Sequence, residues 1–178
     1  RIREQLKPGH HIAIIGGGFI GLEVAASAIE KGCRVTIIEA GPRILMRGVP
    51  EEIAEMVKNL HSSKGVEFSI GKSLLEINKT SETFTITLED GQQIQSNAVI
   101  AGIGATPETV LAKTSGLDIE NGICVDEYLM TSDSDIFAAG DCCSFPHPLY
   151  GGRRMRLESW RNAQDQGIHA AQNMVNSP

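Results

Sequence analysis

The amino-acid sequence predicts an α/β fold in which a parallel βαβ unit carries an antiparallel β-meander insert and is followed by a shorter, differently organised segment. Three observations lead to this prediction. Apolar runs at 11–15 and 33–40 flank a segment, 19–31, in which apolar and small residues recur at helical spacing. A glycine-rich stretch joins the first run to that segment. Between 67 and 95 the pattern changes to a period of two, which is typical of antiparallel strands.

The first elements follow from the apolar runs and the residues that end them. His11–Ile15 is too short for a helix and is followed by glycine, which favours a buried strand. The helix predicted over Phe19–Lys31 ends at the next glycine. The run CRVTIIEA is mostly apolar, as expected of a parallel strand that is covered on both faces. A second helix is predicted over Pro50–Ser63.

The meander and the return strand come next. The stretches EFSIG, SLLEINKT and TFTITLEDGQQIQ alternate apolar and polar residues, and Asp90-Gly91 predicts a hairpin turn. The apolar stretch NAVIAGIG then returns to the parallel sheet. After it, TPET predicts a short helix with Thr106 as the N-cap and Pro107 at the first helical position.

Composition limits the classes of function. Of the 178 residues, 41% are hydrophobic and 21% are charged, with a net charge of −6. The acidic balance gives no reason to propose nucleic-acid binding, and no apolar run approaches the ~18 residues of a membrane span. The four cysteines lack metal-ligand spacing, so no metal site is predicted. Without an N-terminal signal segment the sequence predicts a cytoplasmic protein, and its start at Arg1 suggests a piece of a longer chain.

Gly16, Gly18 and Gly21 form a GxGxxG pattern between the first predicted strand and helix. In such a pattern the first glycine permits a tight turn, the second lets a pyrophosphate approach the backbone, and the third lets the helix pack closely on the strand. The phosphates then lie at the helix N-terminus, where free N–H groups favour anions. An acid, Glu39, ends the next strand 18 residues after Gly21. Together these features predict dinucleotide binding.

Glu39 also predicts which dinucleotide binds. A carboxylate at this position accepts hydrogen bonds from the adenine-ribose hydroxyls and repels the additional phosphate of NADP. Two charges ~4 Å apart at an effective dielectric constant of ~20 repel by about 4 kcal/mol. Half of that energy disfavours NADP roughly 30-fold. Arg43 could reduce this repulsion, but a charge on a surface loop is the simpler interpretation, so NAD(H) is predicted.

Several stretches in a characteristic order resemble one family. They are IIGGGFIGLEVAA, CRVTIIEAGPRIL, DGQQIQSNAVIAGIGATPE, GICVDEYLMTSDSDIFAAGDCCSF and RLESWRNAQDQGIHAAQNM. The chain is similar to the FAD-dependent pyridine nucleotide-disulfide oxidoreductases, and within them to the ferredoxin reductases of bacterial aromatic-ring dioxygenase and monooxygenase systems. The resemblance implies a Rossmann-like NAD(H)-binding domain at 1–120 and an incomplete returning segment of an FAD-binding domain at 121–178. It also implies that the flavin's own glycine motif precedes Arg1, so FAD would be held by the full-length protein.

The resemblance assigns residues near the nicotinamide. Glu23 and Phe19 match positions beside the nicotinamide ring, and Gly102 and Gly104 match a loop that passes it. Each also has a structural interpretation: a solvated helix glutamate, helix packing, and a turn at the end of a strand. The cofactor-binding residues predicted for NAD(H) are Gly16, Gly17, Gly18, Phe19, Ile20, Gly21, Glu23, Glu39, Gly102 and Gly104.

On the flavin side, the resemblance implies that Asp141 binds the ribityl chain. Trp160 matches an aromatic residue between the flavin and a docked ferredoxin, and the helix predicted over 162–175 would direct its N-terminus at the flavin ring. A basic cluster could steer an acidic ferredoxin, although a solvated loop is the alternative. Its members are Arg153, Arg154 and Arg156.

The function implied is electron transfer from NADH through FAD to a ferredoxin-type iron-sulfur protein, with no side chain of this chain needed as acid or base. The chain by itself would be inactive without the rest of the FAD site. Cys142 and Cys143 do not form a redox pair, because a vicinal disulfide needs a strained ring, and we interpret them as small buried residues. Two alternatives remain: another member of the superfamily, such as a disulfide reductase or a nitrite reductase flavin subunit, and a non-enzymatic NAD-sensing module.

Overall fold

A computed structural model describes residues 2–176 of the chain, and the chain forms two compact units that divide after Gly104. The elements of the first unit are α1 (Ile2–Gln5), β1 (His11–Ile15), α2 (Phe19–Glu30), β2 (Arg34–Glu39), α3 (Glu51–Ser63), β3 (Val66–Ile70), β4 (Leu74–Lys79), β5 (Phe84–Leu88), β6 (Gln93–Ser96) and β7 (Ala98–Ala101).

The first unit is built on a parallel sheet of four strands in the order β3-β2-β1-β7. The antiparallel meander β4-β5-β6 forms a separate sheet. Ile12 and Ile14 of β1 pack with the buried residues of α2 on one face, whereas Ala13 packs with Ile86 and Leu88 of β5 on the other. Because helices cover one face and the meander covers the other, β1 reads as a continuous apolar run.

The second unit has short strands and one long helix. Its elements are α4 (Val110–Thr114), β8 (Ile123–Cys124), β9 (Cys143–His147), β10 (Arg153–Met155) and α5 (Trp160–Asn176). The three strands form a sheet in the order β10-β9-β8, in which β9 pairs antiparallel with β10 and parallel with β8. Its core is small and consists of Val125, Leu129, Cys143 and Ala170.

The structure confirms the predicted α/β class, the parallel unit and the meander, but it corrects some boundaries. The prediction of Thr106 as an N-cap and Pro107 as the first helical residue is wrong, since α4 begins at Val110. The Glu108 carboxylate accepts a hydrogen bond from the Val110 N–H at 2.8 Å. The first N–H donor of the helix is therefore bonded by Glu108, two residues after the predicted cap Thr106. Helix α5 begins at Trp160, ahead of the predicted start at 162.

The boundary between the two compact units also differs in position from the predicted domain boundary at 120. Residues after Gly104 make hydrogen bonds within the second unit: the Asp118 N–H donates to Ser132 Oγ at 3.1 Å, and the Cys124 N–H donates to the Asp118 carbonyl at 2.9 Å. The assignment of the first part to NAD(H) and of the second to a flavin domain stays a prediction.

Candidate functional site

The first glycine of the motif forms the turn between β1 and α2. Gly16 has φ +103°, a backbone conformation that favours glycine. A Cβ atom at Gly16 would lie 2.5 Å from the Gly102 carbonyl oxygen, which follows β7. Gly102 in turn donates its N–H to the Ile15 carbonyl at 2.8 Å. The ends of β1 and β7 therefore approach too closely for a side chain at Gly16.

The other two glycines have opposite surroundings. A Cβ atom at Gly21 would overlap the Gly16 carbonyl oxygen, so this glycine lets α2 pack on the turn. A Cβ atom at Gly18 would have no other atom within 4 Å. Gly18 is also the N-cap of α2 and makes no side-chain capping hydrogen bond. The open space thus lies where the unpaired N–H groups of the first helical turn are available to an anion.

Glu39, at the end of β2, is held beside this turn by two backbone donors. Its Oε2 accepts the Gly17 N–H at 2.7 Å, and its Oε1 accepts the Gly41 N–H at 2.7 Å. The carboxylate is half-buried, and each oxygen keeps a lone pair for a further donor. The structure therefore brings the predicted ribose acceptor and the glycine turn together at the carboxyl end of the parallel sheet, where ligands of such sheets bind.

The residues predicted beside the nicotinamide are mostly exposed. Phe19 is 58% exposed, and a Cβ atom at Gly48 would lie 2.6 Å from its ring. Ile20 and Glu23 are exposed on α2. Gly104 has φ +107° and open space around it. The geometry leaves these positions accessible and does not by itself assign them a ligand.

Sequence reasoning missed the loop between β2 and α3, which we call loop 41–49. Ile44 of this loop is buried against the glycine turn, because a Cβ atom at Gly17 would lie 2.8 Å from its Cγ2. The Leu45 N–H donates to the Gly17 carbonyl at 2.9 Å. Arg43 is half-buried and bonded to loop carbonyls, not a free surface charge. Because this loop has no periodic pattern of apolar residues, the sequence did not predict these contacts. A residue of the loop that could have indicated a close approach is Gly48, which lies against the Phe19 ring.

In the second unit, the predicted flavin residue Asp141 follows a tightly held glycine. Gly140 has φ +81° and donates its N–H to Gln166 Oε1 at 2.8 Å. A Cβ atom at Gly140 would lie 3.3 Å from Ala163 Cβ on α5. Asp141 is exposed; its carbonyl accepts a hydrogen bond from Arg156, and no partner for its carboxylate is seen among the described residues. Its carboxylate is therefore available to a hydroxyl donor.

The three arginines of the predicted docking cluster have different surroundings. Arg154 donates to the carbonyls of Val125 and Ser144, so it fastens the strand β10 to its neighbours. Arg156 donates to the Asp141 carbonyl at 2.9 Å and pairs with Glu158 at 2.6 Å. Arg153 is exposed, and no partner is seen for it among the described residues. Of the cluster, Arg153 is thus the arginine open to a partner.

Trp160, the first residue of α5, is 80% exposed. Ser159 precedes it, and its Oγ accepts the Asn162 N–H at 3.2 Å, which is the geometry of an N-cap. This serine explains why α5 begins two residues ahead of the predicted start. The tryptophan is therefore at the helix end that the sequence assigned to the flavin, and its ring is not used in the core of this unit.

The cysteines carry no disulfide. Cys143 is buried, and burial raises the pKa of its thiol to about 11, with a smaller contribution from Cys142. Cys142 is half-buried, so the interpretation as a buried residue holds only for Cys143. Within residues 2–176 no group of His, Cys, Asp and Glu could hold a metal ion, and no helix is long and apolar enough to cross a membrane.

The fold and the glycine turn together are those typical of dinucleotide-binding α/β proteins. The family model for pyridine nucleotide-disulphide oxidoreductases matches residues 1–167, and the chain belongs to this family. Membership confirms the resemblance seen in the sequence. The family to which the chain belongs is one of oxidoreductases, described by their use of pyridine nucleotides.

Individual relatives refine this placement. The ferredoxin–NAD(+) reductase component of the anthranilate 1,2-dioxygenase system from Burkholderia cepacia is 40% identical over 98% of this chain and 43% of its own length. A crystal structure of a ferredoxin reductase from Rhodopseudomonas palustris matches with a TM-score of 0.93 and 36% identity, over 99% of this chain and 44% of that one.

A crystal structure of the covalent putidaredoxin reductase–putidaredoxin complex matches with a TM-score of 0.92 and 36% identity, over 98% of this chain and 42% of that one. The chain thus spans less than half the length of the relatives that it matches.

Proposed function

We propose that this chain is the NADH-binding part of a flavoprotein reductase that passes electrons through FAD to a ferredoxin-type iron-sulfur protein. The observation that carries the proposal is the open space at Gly18, at the N-terminus of α2 and close to the Glu39 carboxylate. A pyrophosphate fits this place because it is anionic and needs backbone donors without an intervening side chain.

The residues present fit the two ends of NADH differently. The α2 N-terminus would hold the pyrophosphate, and Glu39 would accept hydrogen bonds from the adenine-ribose hydroxyls. The N–H groups of Gly17 and Gly41 already orient Glu39 before a ligand binds, so binding of the ribose costs little additional conformational entropy. The exposed Phe19, Ile20 and Glu23 would lie toward the nicotinamide, as the sequence predicted.

Residues of the second unit fit a role toward FAD. The free carboxylate of Asp141 is suited to accept a ribityl hydroxyl, and the adjacent Gly140 lets this turn pack closely against Ala163 of α5. The N-terminus of α5, with no acidic residue in its first turn, favours negative charge on a nearby group. When bound, NADH supplies a hydride and FAD accepts it and releases electrons singly.

The partner we propose is an acidic iron-sulfur protein, supported by the relatives that are ferredoxin reductases and by the putidaredoxin complex. Of the predicted docking residues, Arg153 and Trp160 are exposed and could contact it. Arg154 and Arg156 would act indirectly, by holding the backbone of β10 and the Asp141 turn. We also infer a cytoplasmic location, which the four free cysteines support.

The experiment is calorimetric titration of the chain with NADH, NADPH and FAD, repeated on Glu39→Ala. We expect NADH to bind more tightly than NADPH. The substitution should weaken NADH binding and reduce the preference for NADH over NADPH. The loss should be about tenfold or more, because charged hydrogen bonds contribute roughly 1.5–3 kcal/mol. Equal affinities for NADH and NADPH in the unchanged chain would contradict the role of Glu39. Tight FAD binding that excludes NADH would assign the glycine turn to the flavin.

A further inference from the structure

Loop 41–49 forms one side of the glycine turn and is held in a defined conformation. Leu45 donates its N–H to the Gly17 carbonyl, and the N–H groups of Gly48 and Val49 both donate to the Leu45 carbonyl, at 3.0 and 3.2 Å. Leu45 has φ +53°, a conformation that residues with a side chain rarely adopt. Such a conformation persists only where surrounding contacts determine it.

Arg43 supplies further contacts of this kind. Its Nη1 donates to the Ile44 carbonyl at 3.2 Å, and its Nη2 donates to the Val49 carbonyl at 3.1 Å, with the Met46 carbonyl at 3.5 Å. One planar guanidinium therefore joins the beginning of the loop to its end. A lysine cannot reproduce this, because its ammonium group is a single point of donation and not a fork.

The beginning of the same loop holds Glu39. Gly41 donates to Glu39 Oε1 while Gly17 donates to Oε2, so both carboxylate oxygens depend on the relative placement of the loop and the glycine turn. The Leu45 N–H bond to the Gly17 carbonyl fixes that placement. A change in loop 41–49 would thus be transmitted to the carboxylate that accepts the ribose.

We propose that Arg43 is a positioning residue for the adenine-ribose part of the dinucleotide site and thereby a determinant of the preference for NADH. This proposal rests on the proposed function. The guanidinium fixes loop 41–49, so that Glu39 stays oriented toward the ribose. Arg43 lies only four residues after the acid, but its guanidinium is bonded to loop carbonyls, so turning it toward a 2′-phosphate would break those bonds.

The test compares Arg43→Ala and Arg43→Lys with Arg47→Ala. Arg47 is a suitable control because it is in the same loop and exposed, so its removal changes the net charge equally. Calorimetry measures the Kd of ADP-ribose, NADH and NADPH, and amide hydrogen exchange measures the opening of the loop at Leu45, Gly48 and Val49.

For Arg43→Ala we expect roughly tenfold weaker binding of ADP-ribose and NADH, consistent with the loss of charged hydrogen bonds. The affinity for NADPH should fall less than the affinity for NADH, so the ratio of the NADPH Kd to the NADH Kd decreases. The amide hydrogens of the loop should exchange faster. Arg43→Lys should change the affinities and the exchange rates in the same direction as Arg43→Ala. It takes the place of the alanine variant in the test if that variant does not fold. Arg47→Ala should match the unchanged chain.

Three results would overturn the proposal. If Arg43→Ala and Arg47→Ala have the same affinities and exchange rates, Arg43 does not position the site. If NADPH weakens more than NADH, Arg43 is a phosphate ligand. If Arg43→Lys restores both the affinity and the exchange rates, only the charge matters. Failure of the unchanged chain to bind NADH is a different result, because it would reject the proposed function itself.

Discussion

The two units of the chain differ in how they form their candidate sites. In the first unit, parallel strands bring Gly16, Gly18, Glu39 and Gly102 to one edge of a sheet, and backbone contacts fix each of them. In the second unit, strands of two to five residues support Asp141 and Trp160, whose side chains are exposed.

This difference shows two ways of presenting functional groups. The first unit by itself supplies each part of the proposed NADH site: the helix N-terminus and the open space at Gly18 for the pyrophosphate, and the acid Glu39 for the ribose. The second unit presents single groups on a scaffold that is held by side-chain hydrogen bonds, such as those of Gln166 and Arg154 to the backbone. We therefore expect substitutions in the first unit to affect NADH binding. Substitutions in the second unit should affect stability but leave NADH binding unchanged.

Glycines in the two long helices give the largest contrast. Gly21 of α2 has no space for a Cβ atom, whereas Gly167 of α5 has no atom within 4 Å of one. Gly21→Ala should lower the free energy of unfolding by roughly 1–3 kcal/mol through overpacking and should abolish NADH binding. Gly167→Ala should raise stability by about 0.5–1 kcal/mol, because alanine is the better helix former. Urea unfolding and NADH calorimetry on both variants measure these changes. Equal changes in stability and NADH affinity for the two variants would contradict the difference between the two glycines.

An effect on stability alone, without loss of NADH binding, is expected from Gln166, which is 8% exposed. Its Oε1 accepts the Gly140 N–H at 2.8 Å and the Cys143 thiol at 3.1 Å. Gln166→Leu would leave a buried N–H without a partner and should cost roughly 1–3 kcal/mol of stability. The exposed Gln172 provides a control, since Gln172→Leu should change little. NADH affinity should be the same in both variants. A loss of NADH affinity in Gln166→Leu would show that the dinucleotide site depends on the second unit.

The smallest predicted effect is a pH dependence that arises in the first unit. Burial, and then the charge of Arg34, lowers the pKa of His11 from its ordinary value of 6.5, although the Gln95 backbone and Glu67 oppose this. His11 also bonds to Thr36 Oγ1 at 2.8 Å. The unfolded chain therefore binds this proton more readily than the folded chain. The resulting stability is present above pH 6.5 and is lost as the pH falls through the lowered pKa.

Urea unfolding between about pH 8 and pH 5 measures this dependence. His11→Gln should make the slope of stability against pH smaller, because glutamine does not titrate in this range. An unchanged slope in His11→Gln would show that other groups cause the acid sensitivity.

The sequence predicted the first unit well because its physical causes are local. Buried strands appear in the sequence as apolar runs. The close approach of the backbone at Gly16 and Gly21 requires glycine, so the sequence shows this feature as well. The roles of Arg43 and Gln166 could not be predicted, because each side chain bonds to backbone groups of irregular segments, and those bonds leave no periodic signal. The start of α4 was misplaced for a related reason, since Glu108 satisfies its first donor from an unusual position.

The central claim is that the dinucleotide pyrophosphate lies at Gly18. This glycine has φ −81° and ψ −177°, an extended conformation that other residues adopt without strain, and its Cβ position is open. Gly18→Val should therefore leave the chain folded while it fills the space that the pyrophosphate needs; the expected loss of stability is at most about 1 kcal/mol, because valine is a poorer N-cap than glycine. The measurement is NADH calorimetry on this variant with a parallel urea titration. Our account predicts a folded chain, with at most the small N-cap loss of stability, and a roughly tenfold or greater loss of NADH affinity. Full NADH affinity in a normally folded Gly18→Val chain would contradict it.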